Sequence, residues 1–140
     1  MRTRERAKLI RAAKKVARLT NGKLQPVIPE VNDFTQEQNC WGYTAQALGL
    51  EPDPAWLYQE EMIAYLAEHT VPVTDIPRLG DIAVYTREYE GLIHTSIIID
   101  PKKLIVLHKP GTWPVELSGL LDSYEGSNIT FARPKVLLQE

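Results

Sequence analysis

The chain has little cysteine and no long apolar stretch, and each absence excludes a class of protein. One cysteine in 140 residues rules out an internal disulfide. No segment approaches the run of about 18 apolar residues that a membrane-spanning helix requires, and the N-terminus lacks the apolar core of a secretory signal. We therefore expect no transmembrane segment and cytoplasmic synthesis without a signal peptide, with any release depending on lysis, a secretion system or incorporation into a virion.

Patterns of metal ligands are also scarce. The close-spaced Cys or His pairs of structural zinc sites are absent, so we predict no metal and no cofactor. A weaker alternative places zinc between Cys40, His94 and His108, since thiolate and imidazole groups suit that ion. Internal repeats are absent as well, and 140 residues of ordinary composition predict one globular domain with a sizeable core.

Basic charge is concentrated at the N-terminus. Residues 1–23 hold nine Lys or Arg against Glu5 alone, whereas the rest of the chain holds seven basic and seventeen acidic side chains. The apolar residues of this segment recur at helical spacing: Leu9, Ala12, Ala13, Val16 and Leu19. This pattern predicts a basic amphipathic helix over residues 4–20, ended by Asn21-Gly22. The helix either docks on the acidic body or contacts an anionic polymer, a membrane surface or nucleic acid.

Residues 24–140 form the second predicted unit, which begins with a proline-containing connector and two helices. Asn39 is a good N-cap, which places Cys40 in the first turn of a helix that ends at Gly49. A second helix is predicted to start at Asp53-Pro54, a cap followed by a first-position proline. Its predicted apolar face comprises Trp56, Met62, Ile63, Leu66 and Ala67.

Short β-branched segments separated by Gly, Pro and Asp follow the helices. They predict four strands, over residues 81–85, 92–99, 104–107 and 129–132. Residues 117–124 predict a further short helix. Because the connections are too short for parallel crossovers, we expect an antiparallel sheet and an α+β fold class.

Cys40 is the candidate nucleophile, because a helix N-terminus can lower the pKa of a thiol from about 8.5 to between about 3.5 and 7.5. His94, at the start of an apolar strand, is the candidate general base, and His108, at the end of the next strand, is the candidate orienting residue. A hairpin with an odd loop centred on Pro101 sets the two histidines directly opposite on one face, whereas a two-residue turn points them to opposite faces. The alternative for each residue is a purely structural one, a packed thiol and two rim histidines.

Three segments follow one another in the order of a known family. Asn39 to Tyr43 is similar to a helix start with the sequence Asp-Cys-Ser-Gly-Phe, Leu79 to Tyr85 is similar to a Pro-Gly-Asp-Leu strand, and His94 to Ile99 is similar to a His-Val-Gly-Ile strand. With a matching closing strand at Ile129 to Pro134, residues 34–135 resemble the NlpC-type, papain-like cysteine peptidases that cut peptidoglycan stem peptides and are related to the CHAP amidases.

The resemblance implies a papain-like α+β domain, with the nucleophile helix packed on a small antiparallel sheet and the N-terminal amphipathic helix added to it. It implies that Cys40 attacks an amide carbonyl of a peptide or peptidoglycan substrate and forms an acyl-thioester. His94 would then transfer the proton, and His108 would orient His94. Two alternatives remain open: a catalytically degenerate papain-like module that only binds peptide, and an intracellular amidase or deamidase.

Further side chains are expected around this triad. The backbone amide of Cys40 would hold the oxyanion, with Gln36 or Gln38 as side-chain donors. The aromatic residues Trp41, Tyr43 and Trp113 are the candidates for lining the substrate cleft, although aromatic residues at such spacings also belong to cores.

Overall fold

Three α-helices precede the six strands of a single sheet. The structure is a computed structural model that describes residues 3–139; residues 1, 2 and 140, and with them Arg2 of the basic segment, lie outside the described part. The elements are α1 (Thr3–Leu19), α2 (Cys40–Ala47), α3 (Gln59–His69), β1 (Thr70–Pro72), β2 (Ile82–Arg87), β3 (Gly91–Asp100), β4 (Ile105–His108), β5 (Glu116–Gly119), β6 (Asn128–Pro134) and a terminal 3₁₀ turn (Lys135–Leu138). The predicted α+β class with an antiparallel sheet is confirmed.

The sheet order is β1-β6-β2-β3-β4-β5, and every neighbouring pair is antiparallel. Strand β3 lies near the middle and is buried over most of its length, because both of its faces are covered. Alternate residues such as Ile97 pack with α1 and α2 on one face, whereas Ile98 packs with Leu120 and Tyr124 on the other face.

Helix α1 forms where its spacing predicts, and its apolar side chains join the main core. Leu9 and Val16 are buried in the same cluster as Ile97 of β3, so the helix packs on the sheet while its basic side chains face outward. Gly22, at a φ of 75°, donates its N–H to the carbonyl of Ala17 at 2.7 Å and ends the helix. Leu19, expected in the apolar stripe, is instead 56% exposed.

The third helix starts later than the sequence predicts. Asp53-Pro54 does not begin it; the N-cap is Tyr58, whose N–H donates to the Glu61 carboxylate at 2.9 Å. The reason is tertiary, because the Asn39 side chain donates to the Leu57 carbonyl at 2.7 Å and accepts from the Leu57 N–H at 3.2 Å. These two bonds hold the preceding segment in an extended path across α2. Of the predicted apolar face, Met62 is buried and Leu66 is partly buried, whereas Trp56, Ile63 and Ala67 are exposed.

Residues 117–124 do not form the predicted helix. Leu117 and Ser118 belong to β5 and pair with Leu107 and Val106 of β4, and turns follow. Strand β1, which the sequence reading missed, is only three residues long and pairs with β6. In both cases the pairing with a distant strand decides the local conformation, which a sequence window cannot detect.

The β3–β4 hairpin places the two histidines on one face but not directly opposite each other. Ile97 pairs with Leu107 and Ile98 with Val106, and a bulge at Ile99 interrupts the ladder before Asp100. This register shifts the expected pairing by two residues, so His94 and His108 are diagonal neighbours. The turn is set by the Asp100 carboxylate, which accepts from two following N–H groups, and by Leu104 at a φ of 55°.

None of the helices within residues 3–139 has the length and apolar character needed to cross a membrane.

Candidate functional site

Helix α2 begins at Cys40, as the sequence predicts, and its first turn is rigidly fixed. The Asn39 side chain accepts from the Gly42 N–H at 2.9 Å while also binding the Leu57 backbone. A Cβ on Gly42 would lie 1.7 Å from the Ala55 carbonyl oxygen, so only glycine permits this close approach. One side chain thereby caps the helix and clamps the next segment against it.

The thiol of Cys40 is almost enclosed, at 6% exposure. Burial raises the pKa of Cys40 to about 11, and backbone hydrogen bonding from Thr95, Trp41 and Gly111 only partly opposes this rise. The expectation of an ionised thiol at neutral pH is therefore wrong for the resting protein: the helix N-terminus favours the thiolate, but desolvation outweighs that effect.

Residues 109–113, the first part of the connection between β4 and β5, approach the thiol through the backbone of Gly111. Its two ends are joined where the Lys109 ammonium donates to the Trp113 carbonyl at 2.7 Å. The N–H of Thr35 donates to the Thr112 carbonyl at 3.0 Å and ties the connector before α2 to the same loop. The loop is therefore fixed to the connector close to the start of α2.

His94, His108 and Glu116 form a hydrogen-bonded chain. His94 Nε2 lies 2.7 Å from His108 Nδ1, and His108 Nε2 lies 3.0 Å from a carboxylate oxygen of Glu116. Both rings are fully buried, whereas the Glu116 side chain is 52% exposed. The rings of the two candidate histidines therefore contact each other directly.

The chemistry of Glu116 fixes the proton on each ring. A carboxylate only accepts, so His108 carries its proton on Nε2 and offers a bare Nδ1. His94 must then donate from Nε2, which leaves His94 Nδ1 as a bare acceptor. Within residues 3–139 this buried nitrogen has no hydrogen-bond partner. The arrangement therefore presents one unengaged basic nitrogen on a ring whose tautomer is set by its neighbours.

Aromatic rings hold His94 in place. Tyr124 stacks on it with ring centroids 4.2 Å apart, and Tyr85 lies at 5.1 Å. Burial, reinforced by the neighbouring His108, lowers the pKa of His94 to about 2. Burial likewise lowers the pKa of His108, and Glu116 opposes that shift. At neutral pH the imidazole of His94 is therefore uncharged, and its burial disfavours protonation of the ring.

The helix and the strand that carry these groups are joined directly. The hydroxyls of Thr44 in α2 and Thr95 in β3 lie 2.8 Å apart in the core. Thr95 follows His94 in the chain, and its backbone lowers the pKa of Cys40, in opposition to burial. No hydrogen bond joins the thiol to the His94 ring among the described residues, so Cys40 and His94 are neighbours through Thr95 rather than a formed pair.

The predicted oxyanion donors, Gln36 and Gln38, and the predicted cleft residue Tyr43 differ in their surroundings. Gln38 is buried and donates one of its two amide N–H groups to the Gln46 side chain at 2.9 Å, whereas Gln36 is exposed. Tyr43 lies in the main core at 1% exposure and lines no open surface, which corrects its assignment to a cleft.

The two tryptophans predicted to line the cleft, Trp41 and Trp113, do not lie together. Trp41 packs between α2 and α3, and its ring N–H is buried without a partner within residues 3–139. Trp113 is 65% exposed, stands edge-on to Phe34 and lines an open cavity of about 560 Å³ that Glu116 also borders. Only Trp113 is therefore positioned to touch a bound molecule.

The weaker zinc alternative finds no support in the geometry. Within residues 3–139, no three Cys, His, Asp or Glu side chains converge as a metal site. His94 and His108 instead point one ring nitrogen each at the other, which removes both atoms from any shared ligand set.

Three neighbours of the site were missed from the sequence: Glu116, Tyr124 and Lys109. Glu116 pairs directly with His108 across β4 and β5, and recognising β5 as a strand would have pointed to it. Tyr124 reaches His94 from a turn with no periodic pattern, and the burial of Lys109 has no sequence signal.

Comparison with protein-family models, with curated proteins and with solved structures found no match to this chain.

Proposed function

We propose that the protein is a papain-like cysteine hydrolase that cleaves an amide bond in a peptide, above all a peptidoglycan stem peptide. The observation that supports this proposal is the chain from Glu116 through His108 to His94, which leaves a bare His94 Nδ1 on the strand beside Cys40. A structural histidine gains nothing from burial with an unsatisfied nitrogen, because such an atom carries a desolvation penalty of about 1–3 kcal/mol.

The proposed reaction starts from neutral partners. As Cys40 Sγ attacks the carbonyl carbon, its proton passes to His94 Nδ1, and the Glu116 carboxylate offsets the resulting positive charge through the hydrogen bond that it accepts from His108. The backbone N–H groups of Cys40 and Trp41 at the start of α2 would hold the oxyanion. The C–N bond then breaks, and the amine departs with the proton from His94.

Water completes the cycle by hydrolysing the acyl-thioester. His94 takes a proton from the water and returns it to the sulfur, so the enzyme is regenerated and a carboxylic acid is released. Because Cys40 is 6% exposed, substrate has to displace part of residues 109–113 before attack. We expect this displacement to be coupled to substrate binding.

A second candidate is a peptide-binding module without turnover. It is favoured by the raised pKa of Cys40 and by the missing hydrogen bond between the thiol and His94. In this function the same surface would hold a peptide, and the sulfur would never be acylated.

Incubation of the purified protein with peptidoglycan, followed by mass spectrometry of the soluble products, separates these functions. New peptide termini that disappear with Cys40→Ala support the hydrolase. Retention of Cys40→Ala on peptidoglycan without products from the native protein supports the binding module. A mass change without chain cleavage would identify a deamidase, and cleavage that survives Cys40→Ala would overturn the assignment of the nucleophile.

A further inference from the structure

Lys109 is an unusual lysine, because its side chain is buried and has no counter-ion in the part of the chain that the structure describes. The residue is 2% exposed, and its ammonium donates to one acceptor within residues 3–139, the Trp113 carbonyl, at 2.7 Å. No carboxylate lies within 4.0 Å of that ammonium among residues 3–139. Buried lysines are rare unless paired, since removing an ammonium from water is costly.

Lys109 also borders a cavity near the start of α2. Lys109 lines a cavity of about 140 Å³ together with Gln38, two residues before Cys40. Its charge interacts with the sulfur, which raises the pKa of Lys109 against the larger lowering effect of burial. The acidic residues of this cavity, Asp33 and Glu37, are exposed at its rim. Of the three charged residues that line this cavity, Lys109 alone is buried.

We propose that Lys109 forms a subsite for a carboxylate of the substrate, close to the amide bond that Cys40 attacks. This inference rests on the proposed function, because it concerns the substrate of the same thiol. An ammonium with three donors and one protein acceptor has two donors left for an anion. A carboxylate entering the cavity would supply the missing counter-charge, and neutral amide substrates would leave it unpaired.

Two alkylating reagents of similar size test the subsite without requiring hydrolysis. Iodoacetate carries a carboxylate next to its reactive carbon, and iodoacetamide carries a neutral amide at the same place. Both reagents need the loop to open before they reach Cys40. The ratio of their alkylation rates is therefore independent of how often the loop opens. We expect the iodoacetate rate divided by the iodoacetamide rate to be about tenfold higher at Cys40 than in a free cysteine peptide at low salt. This ratio should decrease as salt is added.

Variants assign the effect to the ammonium. Lys109→Met should lower the ratio about tenfold, Lys109→Arg should retain most of it, and the exposed control Lys102→Met should leave it unchanged. A native-protein ratio equal to that of the free peptide overturns the proposal even if a variant fails to fold. An unchanged ratio in folded Lys109→Met overturns it as well.

Substrate pairs extend the test to the reaction itself. Two peptides that differ only in Glu or Gln beside the cleaved bond should differ in kcat/KM by about tenfold with the native protein and by much less with Lys109→Met. If neither peptide is cleaved, the hydrolase proposal fails while the reagent ratio still decides the subsite. If both are cleaved equally and the reagent ratio is also ordinary, the subsite proposal alone is wrong.

Discussion

Replacing Glu116 by glutamine should harm the site more than replacing it by alanine. The native carboxylate accepts from His108 Nε2 at 3.0 Å and so leaves His94 Nδ1 bare. A glutamine amide can present its N–H₂ to the same nitrogen, which stabilises the opposite tautomer of His108. His94 would then receive a hydrogen bond at Nε2 and carry its own proton on Nδ1, where it cannot accept one.

The magnitude follows from the exposure of the carboxylate. A hydrogen bond to a charged group contributes about 1.5–3 kcal/mol, and we take the lower end because the Glu116 side chain is 52% exposed. About 1.4 kcal/mol corresponds to a tenfold decrease in kcat/KM for Glu116→Gln. Glu116→Ala, which leaves the nitrogen to water, should lose only about threefold, because water both donates and accepts.

Two measurements check this prediction. The first is kcat/KM on a peptide substrate for both variants, with the exposed Glu88→Gln as the matched control. The second is the ¹⁵N chemical shift of the His94 ring, which distinguishes a bare from a protonated Nδ1 and needs no turnover. The reasoning is refuted if Glu116→Gln is as active as the native protein, or if Nδ1 stays bare in that variant.

Three further outcomes are expected. Because burial holds the pKa of Cys40 at about 11, its iodoacetamide rate should increase about tenfold per pH unit from pH 7 to 10; a plateau at neutral pH would reveal a preformed thiolate instead. Gly42→Ala should destabilise the fold by more than about 3 kcal/mol in urea unfolding, because the new Cβ would lie 1.7 Å from the Ala55 carbonyl oxygen. A urea midpoint close to that of the native protein would contradict this packing. Thr44→Val should lower the free energy of unfolding by about 1–3 kcal/mol, because it leaves the Thr95 hydroxyl unpaired. The double variant with Thr95→Val should recover part of this loss. Additive effects of the two substitutions would argue against the contact.

The sequence predicted correctly the features that depend on interactions between residues close together in the chain. The start of α2 at Cys40 was predicted correctly because an N-cap is a bond between a side chain and a backbone N–H three residues away. The end of α1 at Gly22 was predicted correctly because a left-handed backbone favours glycine. The start of α3 was wrong because Asn39 holds Leu57 from 18 residues away, and no neighbouring residue indicates such a bond.

By itself the sequence determined the α+β class, the position of Cys40 at a helix start and the placement of His94 and His108 on adjacent strands, since each depends on spacing and caps within a few residues. Only the tertiary structure decided the protonation of these groups. Burial sets the resting state of the thiol, Glu116 sets the tautomer of both rings, and packing buries Lys109 with no carboxylate beside it among the described residues. Desolvation and long-range hydrogen bonding arise only once distant segments are packed together, and they decide what the residues can do chemically.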